Sequence, residues 1–172
     1  MNILYNQDTE GCIQEAVILE WIVLAGGILT AEILAELMQM PEGMKEAFYP
    51  YEERPEMILA DDHGKSHMTF QLLDKKLNPE ETGKAAEAVR EYISRMYPRN
   101  ELSPVHLYRK GKFLSGWFAM ELEEAEEVRQ HVKAVLSVQG QMFLTTATYP
   151  EQDRLKWEVL MKHFYETLHE IV

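Results

Sequence analysis

The feature that most constrains the fold is a pair of alternating apolar segments joined by a short glycine turn. Val132–Val138 and Met142–Thr148 flank Gln139-Gly140-Gln141. Two β-branched, apolar-rich runs separated by a glycine turn predict a β-hairpin. The same arrangement occurs earlier, where Val105–Arg109 and Phe113–Leu122 flank Lys110-Gly111-Lys112. Four neighbouring antiparallel strands are therefore expected in the second half of the chain.

Two helices are predicted around these strands. The first begins at Asn78-Pro79-Glu80-Glu81, where Asn78 can cap the helix and Glu81 can complete a capping box. The second follows Pro150, where the apolar period changes from two to between three and four. The apolar stripe of the first helix comprises Ala85, Val89, Ile93 and Met96, and that of the second comprises Trp157, Leu160, Met161, Phe164, Leu168 and Ile171.

The remaining segments are less regular. Strands are predicted at Met57–Ala60, at His67–Leu73 and at Ala16–Leu24, the last followed by a turn at Gly26-Gly27. Residues 28–40 fit either a strand or a helix, and Pro41–Pro55 is predicted to be an irregular connection. The acidic run from Glu123 to Val128 fits a solvated loop or a short helix.

These elements predict a single α+β domain spanning residues 1–172. Its core, residues 55–172, is expected to form one antiparallel sheet with two long helices packed on one face. Residues 1–50 would be an N-terminal elaboration of that core.

Strand alternation assigns side chains to the two faces of this expected sheet. The helix-covered face would carry Phe70, Leu114, Phe118, Met120, Val132, Leu136 and Leu144. The opposite face would be open and could bind a partner through hydroxyls, an amide and one large aromatic ring. This predicted partner-binding set is Thr69, Gln71, Ser115, Trp117, Lys133, Ser137 and Thr145.

Charge and composition restrict the partners. The formal net charge is −12, which disfavours binding to nucleic acid and to anionic membrane surfaces. The apolar run at residues 16–38 contains Glu20, Glu32 and Glu36, so insertion into a membrane is not expected. The single cysteine, Cys12, excludes an intrachain disulfide and fits a cytoplasmic location.

Few residues suggest chemistry. The sequence lacks the spacing of H-E-x-x-H, G-x-S-x-G, Walker and dinucleotide-binding motifs, and no catalytic residue, metal site or cofactor is predicted. The threonines at 145, 146 and 148 fit a strand ending at Pro150 better than a reactive site. Asp61-Asp62-His63-Gly64 fits a solvated turn, and Arg54 could either anchor the Pro41–Pro55 connection or bind an anion.

The second half of the chain resembles the DcrB-like group, whose fold is shared with the photosystem PsbP proteins. The resemblance rests on the Met142–Thr148 strand, the hairpin before it and Trp157 early in the closing helix, and it covers about residues 55–172. The first 50 residues suggest no counterpart. The resemblance implies an antiparallel sheet with helices packed against it. The group includes Eag-type chaperones, which hold apolar segments of other proteins on a sheet face, often as dimers, but no residue-level motif carries that role to this sequence.

The sequence therefore predicts a cytoplasmic, non-enzymatic, homodimeric protein that binds a peptide or protein partner on an open sheet face. The alternative is a small-molecule binder or hydrolytic enzyme, with a pocket near residues 41–63 that uses Arg54 and His63.

Overall fold

The computed structural model describes residues 2–7, 13–50, 54–124 and 126–171. It contains three α-helices: α1 (Glu42–Phe48), α2 (Thr82–Met96) and α3 (Arg154–Thr167). The strands are β1 (Asn2–Gln7), β2 (Ile13–Leu24), β3 (Leu29–Leu34), β4 (Met38–Gln39), β5 (Met57–Ala60), β6 (His67–Lys76), β7 (His106–Tyr108), β8 (Ser115–Glu124), β9 (Glu127–Val138), β10 (Gln141–Pro150) and β11 (His169–Glu170). Cys12 lies outside the described residues.

The strands form two antiparallel sheets, so the prediction of a single sheet is wrong. The large sheet has the order β4-β5-β6-β10-β9-β8-β7, and the small sheet has the order β1-β2-β3-β11. The expected hairpins β7–β8 and β9–β10 are both present in the large sheet. The small sheet forms because residues 29–34, which the sequence left open between strand and helix, pair with β2.

Helices cover both faces of the large sheet, which corrects the prediction of two helices on one face. We call one side the α2 face: Ala86 of α2 packs there with Val135 and Met142, and α1 packs farther along it against Ile58 and Ala60. We call the other side the α3 face. It carries residues that include Phe70, Val132, Leu136, Phe143 and Ala147, and it shares a core with α3 and the small sheet.

Helix α3 packs between the two sheets and contacts both of them. Phe164 lies with its ring centroid 5.7 Å from that of Phe70 on the large sheet, and Trp157 stacks on Tyr149 at 5.3 Å. On the side of the small sheet, the backbone N–H of Glu32 donates to Thr167 Oγ1 at 3.0 Å. Burial of a large aromatic side chain such as Trp157 stabilises a fold by about 3–5 kcal/mol relative to alanine.

The ends of the helices differ from the sequence prediction. Helix α2 is preceded by a 3₁₀ turn at Pro79–Glu81, and Asn78 provides no side-chain cap. Instead, Thr82 Oγ1 donates to the carbonyl of Pro79 at 2.7 Å. Helix α3 ends at Thr167, so Ile171 does not extend its stripe, because the chain turns extended and β11 pairs with β3.

Two connections are also more regular than expected. The Pro41–Pro55 segment contains α1, in which Lys45 and Glu42 form an ion pair at 3.2 Å. Most of the acidic run belongs to strands rather than to a loop or a helix. Glu123 and Glu124 end β8, Glu127 and Val128 begin β9, and Glu124 pairs with Glu127, while Glu126 adopts a φ of 70° in the turn.

No helix among the described residues combines the length and apolar character needed to cross a membrane.

The close contact of α2 with β8 at Gly116 can be tested by Gly116→Ala. A Cβ at Gly116 would lie 2.8 Å from Ala86 Cβ, so we expect the substitution to force the helix away from the sheet and destabilise the protein by roughly 1–3 kcal/mol. Gly43→Ala in α1, where an added Cβ meets no atom within 4 Å, is the control and should not destabilise. Urea unfolding of both variants measures the difference, and equal stabilities would contradict this packing.

Candidate functional site

The structure separates the seven residues that the sequence predicted to share an open face. By strand register, four of them (Thr69, Gln71, Lys133 and Ser137) lie on the α2 face, and three (Ser115, Trp117 and Thr145) lie on the α3 face. Thr69, Ser115, Ser137 and Thr145 are buried. The prediction that these seven residues form one exposed binding surface is therefore wrong.

The error arose in β8 and β10. The register of β8 places Phe118 opposite Lys133 and Trp117 opposite Ala134, and that of β10 places Leu144 opposite Val135, so Phe118, Met120 and Leu144 lie on the α2 face. These three were predicted to share the helix-covered face with Phe70, Val132 and Leu136, which lie on the α3 face. Alternation distinguishes buried from exposed positions only when one face of a sheet meets solvent.

Trp117 nevertheless lines a cavity among the described residues. A pocket of about 590 Å³ opens between α3 and the outer strands of the large sheet, on the part of the α3 face that α3 and the small sheet leave uncovered. Ligand pockets typically measure roughly 300–1,000 Å³. We call it the aromatic pocket, after Tyr108, Trp117, Tyr149 and Tyr165 in its lining.

The aromatic rings are contributed by four different elements. His106 of β7 lies over Trp117 of β8, with ring centroids 4.6 Å apart, and Tyr108 lies 6.0 Å from Tyr165 of α3. Tyr149 of β10 is held by its stack on Trp157. Leu102, Ala119, Val132 and Met161 add aliphatic surface. The pocket therefore offers flat apolar walls suited to an aromatic or aliphatic group.

Two phenols in the lining remain neutral. Burial raises the pKa of Tyr165, with a smaller contribution from the neighbouring Tyr149, and burial raises the pKa of Tyr149 to about 12. Tyr165 Oη is buried and has no hydrogen-bond partner among the described residues. These phenols therefore contribute flat, uncharged surface to the pocket.

The mouth of the pocket carries both signs of charge. Arg154 forms ion pairs with Glu151 at 3.1 Å and Glu158 at 3.6 Å. Gln130 Nε2 donates to Glu151 Oε2 at 2.5 Å and to Glu121 Oε1 at 3.3 Å. Glu101 and Lys162 complete the charged lining. This rim is polar while the walls are apolar, which is the usual arrangement at recognition sites.

The pocket borders an unpaired edge of the large sheet. Strand β7 is the last strand in the sheet order and pairs only with β8 among the described strands. His106 and Tyr108 point toward the aromatic pocket. Leu107, between them, is 56% exposed and lines a second groove, shared with Val105 and with residues along α2 that include Gly83, Glu87 and Arg90.

Arg90 of α2 holds the segment of chain that leads into β7. Its guanidinium donates to the carbonyls of Ser103 at 2.6 Å and Leu102 at 3.1 Å. The Ser103 hydroxyl accepts the N–H of Ala119 and donates to the carbonyl of Pro104, both at 2.9 Å. The serine in the pocket lining is thus used for backbone support, and its hydroxyl is not hydrogen-bonded to a general base.

The threonine cluster does meet a histidine in the fold. Thr148 Oγ1 lies 2.8 Å from His131 Nδ1, and Thr69 Oγ1 lies 2.5 Å from Thr146 Oγ1. Burial, with the charge of Lys133 and the nearby His67, lowers the pKa of His131 to about 3. His131 is therefore a weak base, and because Thr148 is itself buried, this pair fits structural support of the sheet better than nucleophilic catalysis.

The alternative site near residues 41–63 has a different organisation from the one expected. Arg54 Nε donates to the carbonyl of Tyr49 at 2.9 Å and its Nη1 lies 3.4 Å from Glu42 Oε2, so this side chain anchors the end of α1. His63 is exposed in the turn before β6. No group of three or more histidine, cysteine or acidic side chains in the described part of the chain is placed to hold a metal ion.

Several pocket residues were not predicted from the sequence. Tyr149 was read only as the end of a strand, and His106 lies in a strand of three residues. Tyr165 follows Phe164 in α3 and lies outside the apolar stripe assigned to that helix. The only local signal was the frequency of tyrosine in these segments, and nothing in it indicated that they converge.

Comparison with solved structures assigns the fold. The chain matches the solution structure of cyanobacterial PsbP (CyanoP) from Synechocystis sp. PCC 6803 with a TM-score of 0.63 and 9% identity, over 92% of this chain and 95% of that one. It matches a variant of protein Mog1 with a TM-score of 0.58 and 8% identity, over 88% and 95% of the chains. It also matches LpqN, involved in cell envelope biogenesis of Mycobacterium tuberculosis, with a TM-score of 0.54 and 11% identity, over 91% and 92%.

The chain therefore has a PsbP-like fold, as its second half indicated. The first match covers 92% of the chain, so it includes much of the N-terminal 50 residues, for which the sequence had suggested no counterpart. No family model and no curated protein matches this sequence.

Two histidines of the α2 face, the buried His67 and the half-buried His131, predict acid sensitivity. Burial, followed by the charge of Arg129, lowers the pKa of His67 to about 4, and that of His131 falls to about 3. Between the ordinary histidine pKa of about 6.5 and these values, the unfolded chain binds protons that the folded chain does not. The free energy of unfolding should therefore be highest above pH 6.5. It should decrease as the pH is lowered, by about 1 kcal/mol per pH unit for each histidine.

Urea unfolding between pH 7.5 and pH 4.5 measures this slope. His131→Gln should reduce the slope, whereas His63→Gln, which alters an exposed turn residue, should leave it unchanged. The assignment would be wrong if both variants retained the wild-type slope.

Proposed function

We propose that this protein is a non-enzymatic binding protein that takes an extended peptide segment of a partner protein along β7, with an apolar or aromatic side chain in the aromatic pocket. The observation that carries the proposal is the position of this pocket beside a terminal strand of the large sheet. An extended peptide can add to such an edge through main-chain hydrogen bonds.

Two grooves flank this edge on opposite faces of the sheet. Side chains of an added strand would alternate between them. One set would meet the apolar walls around Trp117, and the other would meet Leu107 and the polar surface of α2. This arrangement provides specificity at alternate positions of the peptide.

Several features favour binding over catalysis. The serine of the pocket is held in backbone hydrogen bonds, and Tyr149 and Tyr165 are neutral phenols. The walls are largely apolar and aromatic, as in the centres of protein interfaces. A chaperone- or adaptor-like role follows from this proposal. The proposed binding surface differs from the one predicted from sequence, but both include Trp117.

A small-molecule ligand is the second candidate, because the pocket volume suits one. It would occupy the aromatic pocket rather than the region near residues 41–63. The two candidates differ at the edge strand, since only a peptide would form hydrogen bonds with the outward-facing backbone of His106–Tyr108. Hydrogen exchange at these amides therefore separates them.

The homodimer and the cytoplasmic location, both expected from the sequence, stay predictions. Sedimentation of the purified protein would decide the first, and fractionation of the native host would decide the second.

The main test uses peptides selected from a random display library on the wild-type protein. Trp117→Ala should weaken their binding by about 2 kcal/mol or more, which is roughly thirtyfold or more in Kd, and a bound peptide should slow hydrogen exchange at His106–Tyr108. Trp21→Ala is the matched control, because Trp21 is 52% exposed on the small sheet, away from the pocket. Equal binding by the two variants would show that the peptides do not bind in the aromatic pocket.

A further inference from the structure

A group of basic side chains lies on the α2 face of the large sheet, away from the aromatic pocket. Strand register places His67 of β6 and His131 of β9 in one row, on either side of Thr148 in β10. Lys133 and Arg129 lie two residues on either side of His131 along β9, and therefore project from the same face. We call His67, Arg129, His131 and Lys133 the basic cluster.

The hydroxyl groups around this cluster are bonded to one another or to histidine. Thr69 and Thr146, in the row that contains Lys133, share a hydrogen bond, and Thr148 bonds to His131 Nδ1. These contacts leave two buried atoms of the cluster, His67 Nδ1 and Arg129 Nε, without a hydrogen-bond partner among the described residues. His67 is 7% exposed, and the rings of Phe48 and Tyr49 cover it.

The cluster also lacks a matching set of acidic groups. Within the described residues, Lys133 makes no ion pair, and Arg129 meets Glu127 only at 3.8 Å. The nearby carboxylate of Asp61 accepts the backbone N–H groups of Lys65 and Ser66. A buried cation without a counter-ion is unfavourable because desolvation of the charge is not offset.

The pKa shifts of these groups agree with a cluster of basic side chains that has few acidic neighbours. Burial lowers the pKa of Lys133. The positive charge of Arg129 lowers the pKa of His67, and that of Lys133 lowers the pKa of His131, in each case adding to the larger effect of burial. An anion at this position would oppose all of these effects.

Solvent can reach the cluster from one side. Lys133, His131 and the neighbouring Gln71 are half-buried rather than enclosed. The surrounding surface is apolar, with Phe118 and Met120 buried beside Lys133 and His131 in the same rows. An anion entering here would meet donors in a setting where water competes weakly.

We propose that the basic cluster binds a small oxyanion, a phosphate or carboxylate group of a ligand, held over His131 between Lys133 and Arg129. Lys133 supplies charge, and Arg129 supplies guanidinium N–H donors. The site is separate from peptide binding at β7, because its residues lie on β6 and β9 rather than at the edge of the sheet.

The test combines binding and stability at pH 7.5 and constant ionic strength, with chloride as the reference anion. Inorganic phosphate and acetate are titrated separately into ¹⁵N-labelled protein, and the imidazole signals of His67 and His131 are followed together with those of the exposed His63. Saturable shifts of the first two signals alone support the proposal. A response to phosphate indicates a phosphate-bearing ligand, and a response only to acetate indicates a carboxylate.

Variants separate an anion site from a structural lysine. Lys133→Met should weaken anion binding at least roughly tenfold and raise the thermal unfolding midpoint in chloride, because it removes an unpaired, half-buried charge. Arg129→Met should weaken binding in the same way, while Lys84→Met, on the exposed surface of α2, should change neither quantity.

Two results would overturn the proposal. One is the absence of saturable shifts of His67 and His131 in the wild-type protein with both anions. The other is unchanged anion affinity in Lys133→Met and Arg129→Met. The first measurement requires no variant, so the proposal remains testable if a substitution prevents folding.

Discussion

The insertion of α3 between the two sheets is the constraint on which the rest of the structure depends. Phe164 and Trp157 fill the space between the large sheet and the small sheet. A helix can bury side chains on two sides only if both neighbours supply apolar surface, and the small sheet provides the second one. The same packing orients the other side of α3, with Met161 and Tyr165, toward the aromatic pocket.

The two-sided covering of the large sheet determines where function can reside. The central strands β6, β10 and β9 carry helices or the small sheet over much of both faces, so the described residues do not form a broad open binding face. Uncovered surface remains at the outer strands β8 and β7, where α3 diverges from the sheet, and around the basic cluster between α1 and α2. One region is apolar and aromatic, and the other is rich in cationic and imidazole groups, so the two proposed sites would bind chemically different groups.

Individual residues show what could be predicted from the sequence. The hairpins, the two long helices and the strand after Gly140 follow from local turn chemistry and apolar period, and all are present. The face of Trp117 could not be predicted, because Trp117 and Phe118 are both sheltered, one by the pocket walls and the other within the α2 face. Residues 29–34 were ambiguous for a related reason: their strand conformation depends on pairing with β2 and, through β11, on the segment after α3.

The amino-acid sequence by itself determined the order of the elements, the antiparallel hairpins and the acidic character of the surface, since each of these depends on neighbouring residues or on summed charge. Only the tertiary structure decided the number of sheets, the side of the sheet that each helix covers, and the convergence of Tyr108, Tyr149 and Tyr165 on one pocket. The physical reason is that these features arise from contacts between residues far apart in the chain. When both faces of a sheet are buried, the alternation of apolar side chains no longer reports which face is which.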